Sequence, residues 1–155
     1  MSHFVTGLIG GAAPLERFAG EQSLHSPASL AQDLAILPLR ERDLESILGA
    51  FTTGHVDGFN YLSEQLIEVL RLASIDSQLV FFETEYFGGV GSQGAVLFRD
   101  GAEVYGPKSA ESGPINEALS LLGVHISPGA SDEFETIGLH THRSSEAWLN
   151  SATAK

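Results

Sequence analysis

The residues with the greatest chemical capacity gather in one stretch, Glu83-Thr-Glu-Tyr-Phe-Gly-Gly-Val-Gly-Ser-Gln-Gly94. Glu83 and Glu85 stand two apart. In an extended strand alternate side chains share a face, so the two carboxylates point the same way, roughly 7 Å apart. Leu79 and Phe81 precede them on that face, so a buried stripe turns acidic toward the glycines. Carboxylates placed in this way can hold a cation, share a proton, or meet an Arg or Lys of a partner. The plainer expectation is a solvated strand end, because acidic side chains are mostly exposed.

Gly89, Gly91 and Gly94 satisfy G-x-G-x-x-G. A dinucleotide fold needs a helix directly after those glycines, since the helix N-terminus receives the pyrophosphate. Here Ala95-Val-Leu-Phe-Arg99 follows, then Asp100-Gly101, which reads as a strand and a turn. A kinase glycine loop does lie between strands, but the chain is too short for a kinase, and His142-Arg143 is followed by Ser144 rather than Asp. The expectation is instead a wide, flexible loop over Phe87–Ser92, longer than a hairpin requires and flanked by aromatics. Loops of this kind often carry function. The candidate ligand- or partner-binding residues are therefore Glu83, Glu85, Tyr86, Gly88, Gly89, Gly91 and Gln93.

His140 and His142 form an H-x-H pair whose rings share a face if the segment is extended. The pair supplies only two of the three or more ligands zinc requires. His55, Asp57, Glu83 and Glu85 are candidates for a third, but nothing in the sequence brings them near. No metal site and no cofactor are expected. The chain has no G-x-S-x-G elbow, no H-E-x-x-H motif and no base identified for Ser92. No catalytic residue is assigned.

These residues need a scaffold. A chain of 155 residues with 43% hydrophobic content is long and apolar enough for one domain, 1–155, with a real core. It has no cysteine, so disulfide frameworks, thiol nucleophiles and cysteine metal sites are excluded. Acidic residues spread along the chain give a net charge of −12. No cluster of Lys or Arg offers a phosphate-binding stripe, so nucleic-acid and anionic-membrane partners are not expected. An acidic surface favours a basic partner and also serves solubility. No apolar run reaches the length of a membrane span, and the first residues lack the pattern of a secretory signal, so a cytoplasmic location is expected.

Hydrophobic periodicity predicts an α+β fold, an antiparallel β-meander packed against helices. Phe4–Ile9 reads as a strand, Pro14 opens a short helix, and Leu34–Leu39 reads as an edge or extended segment. Helices are predicted at 43–52, with Asp43 as cap and Leu44, Ile47, Leu48 and Phe51 on the buried face, and at 61–75, capped by Asn60. The meander comprises Gln78–Tyr86, a strand at 93–99 and Ala102–Gly106. Asp100-Gly101 is its hairpin turn, which sets Leu97 opposite Val104 and Val96 opposite Tyr105. Pro114 begins a helix stopped by Gly123, Asp132–Ile137 is a short helix closed by Gly138, and Ser144 caps a last turn holding Trp148.

The segment Phe82–Ala95 resembles that of a small family of uncharacterised bacterial cytosolic proteins. Supporting pieces are Phe4–Ile9, Leu37–Leu39, Gly106–Lys108, Pro114–Leu119 and Ser145–Trp148. The similarity covers most of the chain and carries no catalytic residue over to it. Size and acidity are similar to those of immunity proteins that neutralise secreted bacterial toxins. The expected function is thus a non-enzymatic binding or interaction protein, in its finer form an immunity-type inhibitor of a toxin. Its partner would be a protein or a small ligand, with a basic one favoured, and self-association is compatible with the sequence. The alternative is a small hydrolase or metal-dependent enzyme using Glu83 and Glu85 with His140 and His142.

Overall fold

The computed structural model describes residues 2–49 and 54–153. They form six α-helices and a seven-stranded antiparallel sheet, an α+β fold. The chain order is β1 (Ser2–His3), β2 (Thr6–Gly11), α1 (Ala12–Glu21), β3 (Ala28–Ser29), β4 (Leu34–Pro38), α2 (Glu41–Leu48) and α3 (Glu64–Ala73). Then come β5 (Gln78–Phe87), β6 (Val90–Arg99), β7 (Ala102–Ala110), α4 (Pro114–Leu122), α5 (Glu133–Ile137), a 3₁₀ turn at Leu139–Thr141 and α6 (Ser145–Thr153). The sheet runs β3-β4-β2-β5-β6-β7, and β1 pairs with the far end of β5. No helix among the described residues is long and apolar enough to cross a membrane.

Strand β5 is apolar on both faces at its start because helices cover both sides of the sheet. Leu79 and Phe81 enter one core with α1, α2, α3 and Phe59. Val80 and Phe82 enter a second core with α4, α5 and Trp148 of α6. The predicted meander is therefore the central and outer part of a larger sheet with helices on both faces. Leu34–Pro38 is flanked by β2 and, along Ala35 and Ile36, by the two-residue β3.

Two helix starts differ from expectation. Helix α2 begins at Glu41, with Arg40 as its cap residue; Asp43 is the third helical residue and accepts from the Arg40 backbone N–H at 2.8 Å. Helix α3 begins at Glu64, where Ser63 Oγ accepts from the Leu66 N–H at 3.2 Å. Asn60 does not cap it. In both places several polar residues lie near the boundary, and tertiary contacts select among them. The predicted helix end at 50–52, Phe51 included, lies outside the described residues.

The Asp100-Gly101 turn forms, with φ of 50° and 85° and Arg99 opposite Ala102. The register beyond it does not follow the two-residue count. A bulge sets Leu97 opposite Tyr105, not Val104, and Val96 does not face Tyr105. The additional residue increases the local twist of this outer pair.

The glycine stretch is also tighter than predicted. β5 and β6 pair without interruption from Gln78↔Arg99 to Phe87↔Val90, so the wide loop is a two-residue turn at Gly88-Gly89. Their φ values of 61° and 83° suit a primed turn, whose twist matches the strands. Gly94 has a different role, because a Cβ there would lie 2.5 Å from the Phe59 ring. Its bare backbone lets Phe59 lie on the sheet. Gly94→Ala should accordingly lower the unfolding free energy by about 1–3 kcal/mol in urea titration. Phe59→Leu in the same background should recover part of that loss. A neutral Gly94→Ala would show that Phe59 does not occupy this position.

Candidate functional site

Glu83 and Glu85 do share a face, that of the α1–α3 core. There the resemblance between them ends. Glu83 is only 5% exposed. Its Oε1 accepts from Asn60 N–H at 2.7 Å, and its Oε2 accepts from Tyr61 N–H and Leu62 N–H, each at 2.9 Å. One carboxylate thus gathers three successive backbone donors directly before helix α3. Burial pushes the Glu83 carboxyl above its ordinary pKa, against the downward pull of those three donors. Glu85, one step nearer the turn, is exposed, and its carboxylate accepts from the Asn60 side-chain amide.

Tyr86 and Gln93 lie on the opposite face and serve as braces. Tyr86 Oη donates to the Glu111 carbonyl and accepts from Gln93 Nε2 at 3.0 Å. Gln93 Oε1 accepts from Ile115 N–H at 2.9 Å, at the start of α4. Gly88 and Gly89 form the turn. At Gly91 a Cβ would fall 1.9 Å from the Glu85 carbonyl oxygen, so this residue admits a close backbone approach. Of the seven candidate residues, Glu85 alone presents an exposed charged side chain.

The hairpin tip extends the apolar rim expected at Phe87 to Val90. Phe87 and Val90 face each other across the turn, 77% and 79% exposed. Phe87 follows Glu85 by two residues on β5, so both lie on one face. Beside them opens a cleft of about 690 Å³ across the ends of β2, β4 and β5, within the size range of ligand clefts. Glu41, Glu85 and Glu146 line it together with Phe4, Tyr61 and Arg40. Arg40 is already engaged: its guanidinium donates to both Asp43 oxygens, at 3.0 and 3.2 Å, and lies 3.7 Å from Glu146. The cleft is therefore electronegative. Burial, followed by the charges of Glu41, Glu83 and Glu85, holds the Tyr61 hydroxyl above its ordinary pKa. Residues from five separate segments build this cleft, and no local motif links them.

The histidines do not meet the carboxylates. His140 lies in the 3₁₀ turn and is exposed, while His142 sets its ring edge-on to Trp148 at a centroid distance of 4.6 Å. The turn breaks the alternation that would align the two rings. Both lie on the α4–α6 side of the sheet, opposite Glu83. Among the described residues, no three His, Asp or Glu side chains form a metal-ligating group.

No protein-family model matches the chain, and neither does any curated protein or solved structure.

Two outcomes test the scaffold of the cleft. Glu83→Gln leaves one acceptor oxygen for three donors and should cost about 2–4 kcal/mol of stability in urea unfolding, with faster amide exchange at 60–62. Retained stability and protection would remove Glu83 as the anchor. The second concerns Asp43. Burial works to raise its pKa, but the hydrogen bonds and charge of Arg40 prevail and hold it below the ordinary value. A depressed carboxylate stabilises the fold above its unfolded pKa and loses that contribution as pH falls through the folded value. Asp43→Asn should therefore cost about 1 kcal/mol at neutral pH. The gap should narrow as the pH drops below about 3.9. A gap independent of pH would show that the Arg40–Asp43 pairing contributes nothing.

Proposed function

We propose that this protein is a non-enzymatic binding protein whose β5–β6 hairpin tip and adjoining cleft receive a basic protein partner. The observation that carries the reading is the exposed pair Phe87–Val90 beside the exposed Glu85 carboxylate. A large apolar pair held out on a tight turn gains nothing by staying in water, because each buried apolar side chain contributes about 1.5–3 kcal/mol. The neighbouring carboxylates choose the sign of the partner. Glu41, Glu85 and Glu146 face a cleft whose one guanidinium is held by Asp43, so the field there attracts cations. Exposed aromatic rings at Phe4 and Tyr61 suit a Lys or Arg side chain entering between them. The net charge of −12 supports the same choice, because it speeds association with a basic protein and opposes pairing with a second copy.

The finer form of the reading is an immunity-type inhibitor of a secreted toxin. A small acidic protein that occupies the basic working face of a toxin needs no catalytic group of its own. The pairing of β5 with β6 right up to the turn favours such a role, since a preformed contact loses less entropy on binding.

A photo-reactive p-benzoylphenylalanine placed at Phe87 tests the surface in the cell of origin. It should cross-link to one protein of basic isoelectric point, and Glu85→Arg should abolish most of the adduct. The same probe at the exposed Leu72 of α3 should not give it. No adduct at position 87, or an adduct indifferent to Glu85→Arg, would overturn the proposal.

A further inference from the structure

The opposite face of the same hairpin carries a pocket of contrary charge. It encloses about 380 Å³ and is lined by Ser2, His3, Tyr86, Gly89, His140 and Arg143. No carboxylate lines it. Arg143 is exposed and makes no ion pair with any described carboxylate, unlike Arg40, Arg71 and Lys108. Its backbone is fixed, because its carbonyl accepts from Phe4 N–H at 2.8 Å and the next residue, Ser144, bridges to Phe4. A guanidinium without a described carboxylate partner, carried on an anchored backbone, offers a planar donor fork to an oxyanion.

The walls are equally settled. His3 Nε2 faces the Leu139 carbonyl at 3.3 Å, which can only accept, so this nitrogen carries the proton. Nδ1 then accepts from Thr84 Oγ1 at 2.6 Å. The ring also packs against Phe134 at 5.4 Å. His3 is thus a braced wall, and burial, opposed by the Leu139 carbonyl and aided by the nearby Arg143 charge, lowers its pKa below the ordinary histidine value. Tyr86, the cross-strand partner of His3, forms the adjoining wall, its hydroxyl bonded to the Glu111 carbonyl. Arg143, His140 and Ser2 supply polar groups to the lining, while the rings of His3 and Tyr86 offer flat surface.

The chain's overall negative charge does not cancel this local field. Charges farther than about 8 Å away are largely screened at physiological salt. Inside the pocket the nearest full charge is Arg143.

We propose that this pocket binds an oxyanion, a carboxylate or phosphate monoester, carried on a small flat apolar body, with Arg143 as the anchoring residue. The site is separate from the acidic cleft and does not depend on the reading given above. Histidine-ring NMR of the full chain at neutral pH tests it, with benzoate, phenyl phosphate and benzyl alcohol as probes. Benzoate, phenyl phosphate or both should give saturable shifts at His3 and His140 in the millimolar range or below. Benzyl alcohol, equal in ring but uncharged, should not. A response to one anion alone assigns the headgroup. Arg143→Gln should weaken binding about tenfold or more with the remaining amide spectrum unchanged, and Arg143→Lys should retain part of it. No saturable shift with either anion, equal binding of benzyl alcohol, or unchanged affinity in Arg143→Gln would overturn the proposal.

Discussion

Strand β5 has to satisfy two hydrophobic cores at once, and the layout of both candidate surfaces descends from that constraint. From Leu79 to Phe82 every side chain is buried, alternately toward α1–α3 and toward α4–α6. A strand locked on both faces cannot slip by one residue, because a slip would exchange the two sets of side chains. Its alternation continues past the cores without change. Glu83, Glu85 and Phe87 emerge on one side, and Thr84 and Tyr86 on the other. The strand therefore sorts its own terminal residues into an acidic face and a face that receives His3 and Arg143.

The exit from the core passes through a buried carboxylate. Moving a carboxylate out of water costs several kcal/mol, and among the described residues no cationic side chain is bonded to Glu83 in return. What offsets the cost is three hydrogen bonds from backbone N–H groups, each worth about 1.5–3 kcal/mol when the acceptor is charged. The donors lie just before the N-terminus of α3, where the helix dipole also favours negative charge. The arrangement fixes residues 60–62 against the sheet. Tyr61 and the Asn60 amide are thereby held beside Glu85, so an internal anchor decides the shape of an external cleft. Gly94 contributes to the same end by making room for Phe59, the residue that seats this segment on β6.

Acidic and basic features are segregated rather than mixed. In the cleft, Arg40 is neutralised by Asp43 and leaves Glu41, Glu85 and Glu146 dominant. On the α4–α6 side, Arg143 stands apart from any described carboxylate beside His140. Two surfaces of opposite sign thus adjoin the end of one strand, through Glu85 and Tyr86 of β5.

Much of the framework was legible in the sequence because it rests on local physics. Periodicity marked β5 and α4, Asp100-Gly101 marked a turn, and Gly123 and Gly138 ended their helices in the left-handed conformation that glycine favours. The rule of alternation placed Glu83 and Glu85 on a common face. Tertiary structure decided what each of them does. Glu83 was read as a partner contact, yet backbone donors some twenty residues earlier in the chain occupy it, and no local pattern encodes such a pairing. The bulge at Leu97 is decided similarly, since a turn sets register only for its nearest pairs. The glycine stretch shows the limit most clearly. Its composition signals small residues but not their reasons, which are a turn at Gly88-Gly89, a close strand at Gly91 and an aromatic ring over Gly94. Those reasons lie in the neighbours that only the folded chain supplies.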